Sequence, residues 1–353
     1  MGELRVSRRS GVLLLAALLL GVAVVAAKPL WAAESNSYQV TPLVSDQPGV
    51  APTTDPNLVN AWGLTSSATS PWWVSDNGTD LSTLYTGAGA KLGLEVAVAG
   101  GPTGAVFNPT TGFVLPTGGK ALFIFDSEDG AIRAWNGAQG TTAIVTVPSS
   151  GAIYKGLAIA DTAAGPRLYA ADFHNARIDV FNGSFGLVPN SGFEDSSLPA
   201  GYGPFNVQTI GDRVFVSYAK QDADAEDEIA GQGLGFVDAY DLAGNLLGRV
   251  AQRGQLNAPW GLALAPASFG RFAGDLLVGN FGDGHINAYE ELGNGHFEHR
   301  GALRGADGKK LAIDGLWALQ FAQGGNNGTA GTLFFTAGPD DESHGLFGTI
   351  AAG

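Results

Sequence analysis

From Asn60 onward, apolar and polar positions alternate in short runs bounded by Gly, Pro, Asn or Asp, and no stretch keeps a helical period beyond a turn or two. The runs recur as one unit. "KGLAIADTAAGPRLYAADFHNARIDVFNG" (Lys155 to Gly183) and "WGLALAPASFGRFAGDLLVGNFGDGHINAYE" (Trp260 to Glu290) share a plan. A strand opens on Gly-Leu, a Gly/Pro turn follows, an apolar strand ends on Asp or Asn, and a third strand closes on an aromatic. Further copies begin near Trp62, Thr103, Phe205 and Asp314. Repeats of roughly 40 to 55 residues with a closing aromatic match four-stranded propeller blades, whereas a β-sandwich explains the strand density but not the repeat. We therefore expect an all-β, six-bladed β-propeller forming a single domain over residues 37–353, with blades starting near 62, 103, 155, 205, 260 and 314.

The last copy stops one strand short. "SYQVTPLVS" (Ser37 to Ser45) alternates suitably and is predicted to complete the sixth blade as its outer strand, closing the ring and removing two open sheet edges. Residues Asp46 to Asn60, with Pro48, Pro52 and Pro56, then form an extended link into the first blade.

The first residues follow another logic. "MGELRVSRRSGVLLLAALLLGVAVVAA" has a basic start and an unbroken apolar run, which predicts an export signal over residues 1–33, of the general secretory or the twin-arginine type, either cleaved or kept as an N-terminal anchor. The mature domain is expected to be exported (periplasmic, cell-surface or extracellular), touching a membrane only through that segment. The chain has no cysteine, which excludes disulfides, thiolate catalysis and Cys-ligated zinc. Its formal charge of −14 excludes nucleic acid as a partner and favours cations or basic proteins.

The unit "GLAIA…RLYAADFHNARIDVF" resembles the NHL-type repeat of six-bladed propellers. "NLVNAWGL", "SPWWVSDNGT", "YAKQDADAEDE", "LNAPWGLALAP", "LLVGNFGDGHINAY" and "FFTAGPDDESHGLFG" resemble an exported bacterial propeller family that is functionally uncharacterised. The likeness spans Tyr38 to Gly353 and implies fold and export but no reaction, so a site has to be argued from its own residues.

Aligned on the Gly-Leu pairs, the residues leading into the innermost strands are Trp62, Thr103, Lys155, Phe205, Trp260 and Asp314, which should ring the channel mouth. Related lactone- and ester-hydrolysing propellers, the gluconolactonase and paraoxonase-like groups, hold a catalytic divalent metal there on Glu, Asn and Asp. Here only Asp314 has that chemistry, with Asn60, Asn206 and Asn257 nearby. The leading expectation is therefore a binding or scaffold propeller without enzymatic activity. Trp62, Phe205, Trp260, Lys155 and Asp314 would meet a small molecule, glycan or peptide. A divalent-metal-dependent lactonase or esterase is the alternative. Equally open is an aromatic plug, with Lys155 paired to Asp314 across it.

Turns between second and third strands share the mouth face and are acidic, with Asp76, Asp126, Glu128, Asp172, Asp283 and Glu342 among them. The fourth, within "YAKQDADAEDEIAGQGLG" (Tyr218 to Gly235), is much the longest. Asp222, Asp224, Glu226 and Glu228 alternate there like ligands of a calcium loop, although Asp227 and Gly233 stand where an EF-hand needs Gly and a bidentate Glu. Calcium is the one candidate cofactor; a solubilising acidic turn is the other reading. His174, His285 and His344 lie in separate turns and are expected not to meet.

Overall fold

A computed structural model describes residues 1–2, 35–293 and 295–353; the expected leader falls almost wholly outside the described residues. Six small sheets, antiparallel but for one short parallel pair, follow one another along the chain as the six blades of a β-propeller. The innermost strands are Ala61–Thr65, Pro102–Phe107, Tyr154–Thr162, Tyr202–Ile210, Pro259–Leu264 and Leu316–Phe321. Among the described residues no helix is long and apolar enough to cross a membrane.

The ring closes as its residue pattern requires. Tyr38–Ser45 pairs antiparallel with Leu346–Ala352, from Tyr38 opposite Ala352 to Ser45 opposite Leu346. The link after it is more ordered than its prolines suggest. Thr53–Thr54 pairs in parallel with Val44 and Ser45. Asp55, buried at 1% exposure, accepts the Tyr85 hydroxyl at 2.6 Å and the Lys91 ammonium at 2.7 Å, fastening the link to the first blade.

Buried side chains fill the wedges between adjacent blades. Trp73 stacks on Phe123 between the first and second. Tyr169, Phe193 and Tyr240 meet between the third and fourth. Tyr38, Phe269 and Phe272 sit where the fifth meets the closing strand. Such non-directional apolar burial supplies most of the stability of a ring whose blades share few backbone bonds.

The third blade departs from the four-stranded expectation. It has three strands, and its outer position is reduced to one bridge, Phe181 to Leu187. The following "GSFGLVPNSGF" explains this: Phe185, Asn190, Phe193 and Gly192 have positive φ, and Pro189 lacks an N–H, so the chain leaves the sheet after a two-residue contact.

Every innermost strand carries a register shift at its mouth end, for example between Ala61 and Leu64, Pro102 and Ala105, and Tyr154 and Leu157. In five of these six strands the residue at the bulge is followed by Gly or Ala, with Asn206 the exception, because neighbouring strands nearly touch around the axis. A Cβ on Gly63 would overlap the Thr103 carbonyl, and one on Gly104 the Leu157 amide. Close approach, not turn geometry, thus accounts for the Gly of the repeated Gly-Leu.

Candidate site at the channel mouth

The bulge registers correct the alignment of the sixth blade. There the shift lies between Leu316 and Leu319, so the residue equivalent to Trp62, Thr103, Lys155, Phe205 and Trp260 is Trp317, not Asp314. Gly315-Leu316 imitates the repeated pair, whereas the true counterpart of Trp62-Gly63-Leu64 is Trp317-Ala318-Leu319. Asp314 is exposed ahead of the strand, where its carboxylate accepts the Asp340 N–H at 3.0 Å.

The aromatic positions are not open to solvent. Trp317 is the hub: Trp62 stacks on it at 3.7 Å and 15°, Phe281 at 4.1 Å, Phe205 leans on it at 5.7 Å and Trp260 meets it edge-on at 6.0 Å. Trp62, Phe205, Trp260 and Trp317 are 1%, 0%, 5% and 0% exposed. Each such contact is worth about 0.5–1.5 kcal/mol beyond burial. The indoles therefore form a plug, and an open aromatic cup is not what these side chains build.

Lys155 lies in the same layer, 1% exposed, but does not pair with Asp314. Its ammonium, 5.3 Å from the centre of the Trp62 ring, binds Glu128 at 2.5 Å and Asp227 at 3.0 Å. Burial alone would lower the Lys155 pKa, but Glu128, Asp227 and Glu228 more than reverse this and hold it above its ordinary value.

A polar network links these groups to the plug. The Trp317 indole N–H donates to Asn60 Oδ1 at 2.9 Å. Asn60 Nδ2 donates to Glu342 at 2.6 Å and to Asn77 at 3.2 Å. Asn77 donates to Glu128 at 2.9 Å. Burial raises the Glu342 pKa against the opposing effects of Asn60 and Lys155. Burial likewise pushes Glu228 up to about 8, with Lys155 opposing and Glu342 and Asp227 adding to the rise. Two carboxyl groups, those of Glu128 and Asp227, thus contact one buried ammonium beside the aromatic plug, and Glu228 and Glu342 feel its charge from farther away.

The long acidic turn is the hairpin that delivers two of them. Lys220 and Gln221 pair with Ile229 and Glu228. Asp222 caps the tip by accepting the Glu226 N–H at 3.0 Å. His174 Nδ1 lies 3.2 Å from the Ala225 carbonyl, so the tip leans on the third blade. Asp224, Glu226 and Asp227 are exposed, although the Asp227 carboxylate reaches the Lys155 ammonium, and Glu228 is partly buried within range of its charge. The predicted set Asp222, Asp224, Glu226 and Glu228 is therefore split between the tip and the mouth. Among the described residues no three His, Asp or Glu side chains are grouped to hold a metal ion.

Nor is every acid of these turns on the surface. Asp76, Asp126 and Asp172 are fully buried and serve the backbone. Asp126 accepts the Thr103 hydroxyl at 2.9 Å and the Gly104 N–H at 2.6 Å. Asp76 accepts the Thr83 N–H, and Asp172 that of Asn175. The histidines stay apart, with His285 beside Asp283 at 3.3 Å and His344 beside Asp46 at 2.7 Å.

No family model matches the chain. Two solved structures resemble it in fold alone, at 12% identity each. A structural-genomics protein of unknown function from Bacteroides thetaiotaomicron gives a TM-score of 0.56, covering 89% of this chain and 76% of its own. Virginiamycin B lyase from Staphylococcus aureus gives 0.50, covering 89% and 99%. By sequence, an uncharacterized protein of Acanthamoeba polyphaga mimivirus is 32% identical over 334 residues, covering 89% of this chain and 80% of its own length. A second from the same virus is 31% identical over 341 residues, covering 89% and 86%. These relatives are viral and lend no support to the bacterial origin implied by the residue resemblance. With this identity sustained over most of both lengths, the chain belongs to the family of these uncharacterized mimivirus proteins.

Proposed function

We propose that this is a binding propeller whose mouth receives a cationic group, an amine or guanidinium presented by a small molecule or a basic peptide. One observation carries the reading: Glu128 and Asp227 hold a single buried ammonium, that of Lys155, and Glu228 and Glu342 lie near enough to feel its charge. One internal cation leaves the carboxyl groups under-neutralised, and the cost of this shows in the proton that burial keeps on Glu228. An incoming cation replaces that proton. The plug supplies a rigid floor, and the exposed acids of the hairpin tip steer positive ligands toward it. Metal-assisted hydrolysis loses its anchor, since Asp314 lies outside the plug layer. Export is part of the same proposal and rests on the basic and apolar opening of the chain; N-terminal sequencing of the secreted protein checks it.

Calorimetric titration with spermidine in two buffers of different ionisation enthalpy tests the site. At pH 7, where spermidine is charged, binding should release protons from Glu228; at pH 9.5 that release should give way to proton uptake by the partly neutral amine. Affinity should fall at least tenfold in Glu342→Gln combined with Asp227→Asn. Absence of binding, or binding indifferent to these substitutions, rejects the mouth as a cation site.

A further inference from the structure

The plug seals only one end of the channel. Below it, the downstream halves of the innermost strands surround a cavity of about 440 Å³ that involves all blades but the fifth. A narrow space of about 20 Å³, bounded by Trp260, Leu64, Gln208 and Gln320, continues upward toward the plug. The far end is thus a blind recess, entered from the face opposite the acidic mouth, and of a size typical of small-ligand sites.

Its chemistry is unlike that of the mouth. None of its lining residues is charged. Polar groups come from Ser66, Thr209, Gln208, Gln320 and Gln323, and Phe107 contributes an aromatic face. Ser66 is 4% exposed, yet its hydroxyl and that of Thr209 have no hydrogen-bond partner. Among the described residues no partner engages the carboxamides of Gln208, Gln320 or Gln323 either. Buried polar groups are nearly always paired, because an orphan costs about 1–3 kcal/mol. Free carboxamides lining the recess, with the unpaired Ser66 and Thr209 hydroxyls buried in its wall, suit a ligand that donates and accepts in turn. An ion entering here would lose hydration with no countercharge to replace it.

We propose that this recess is a second binding site and takes a neutral, hydroxyl-rich ligand, a mono- or disaccharide. Carboxamides and hydroxyls match sugar hydroxyls in both directions, while Phe107, Val106 and Leu157 provide surfaces for the C–H faces. The site is independent of the mouth, lying on the other side of the plug.

Saturation-transfer NMR with glucose, galactose, mannose, N-acetylglucosamine and maltose at millimolar concentration tests it on the folded chain. At least one should show transfer. Its Kd should rise tenfold or more in the Gln208→Leu, Gln320→Leu double variant and several-fold in Gln323→Leu, a substitution that removes an unbonded carboxamide and so spares the fold. The mouth substitution Glu342→Gln should leave it unchanged. The proposal is overturned by lack of transfer from every sugar, by transfer that survives the Gln substitutions, or by equal binding of gluconate and glucosamine.

Discussion

Asp126 illustrates how one side chain serves the ring at a cost. One carboxyl oxygen holds the Thr103 hydroxyl and the Gly104 N–H, tying the second blade's middle strand to its innermost strand at the bulge. The other is buried without a partner. Burial outweighs those bonds and lifts the pKa from 3.8 to about 7. The fold therefore holds this proton more tightly than the unfolded chain, so its stabilising effect is complete below about pH 4, declines as pH rises to about 7, and is level beyond. Asp126→Asn mimics the protonated form. Its stability relative to the parent should rise by a few kcal/mol between pH 4 and pH 7, at about 1.4 kcal/mol per pH unit at most, and then plateau. Urea unfolding across that range measures it; parallel curves for parent and variant would refute the assignment.

At the scale of elements, the bulged mouth ends of the innermost strands converge on Trp317. Its ring touches Trp62, Phe205, Trp260 and Phe281, and its N–H orients Asn60 toward Glu342. Trp317→Ala should cost about 3–5 kcal/mol of stability. It should also weaken spermidine binding, because Asn60 loses the partner that fixes its amide. Trp317→Phe should recover most of the stability but not the binding, since it restores the packing without the N–H. Denaturation and calorimetry on the two variants separate these effects; binding by Trp317→Phe as tight as the parent's would show that Asn60 needs no such support.

For the whole molecule, closure depends on residues at opposite ends of the chain. Tyr38 and Val44 are buried, and the strand that bears them covers the open edge of Leu346–Ala352. Removing residues 36–45 exposes that edge and unseats the link pinned by Asp55. The shortened chain should lose its cooperative transition and self-associate, as light scattering and thermal unfolding would register. A monomer melting with the parent would mean that the ring holds without its clasp.

The repeat, the closing strand and the placement of acidic turns on one face were legible because each is written in local alternation and spacing, which the pleat converts directly into strand and turn. Trp317 was also within reach: Trp-Ala-Leu follows Trp-Gly-Leu once the small residue is understood as a close-approach requirement, but Gly315-Leu316 three residues earlier supplies a false match. The shortened third blade was written in the Gly- and Pro-rich run after Phe181, but only as a turn signal without a partner. What the linear chain left undecided was orientation. Whether Asp126 meets solvent or a backbone amide, whether Glu228 is exposed with Asp224 or partly buried within range of Lys155, and whether the indoles form a cup or a plug all depend on which side of a strand faces the axis and how closely neighbours approach. Local pattern specifies strands, turns and their order, because these arise from neighbouring residues. The plug, the enclosed ammonium and the empty recess arise from six distant strands meeting at one axis, and only their packing decides what that axis contains.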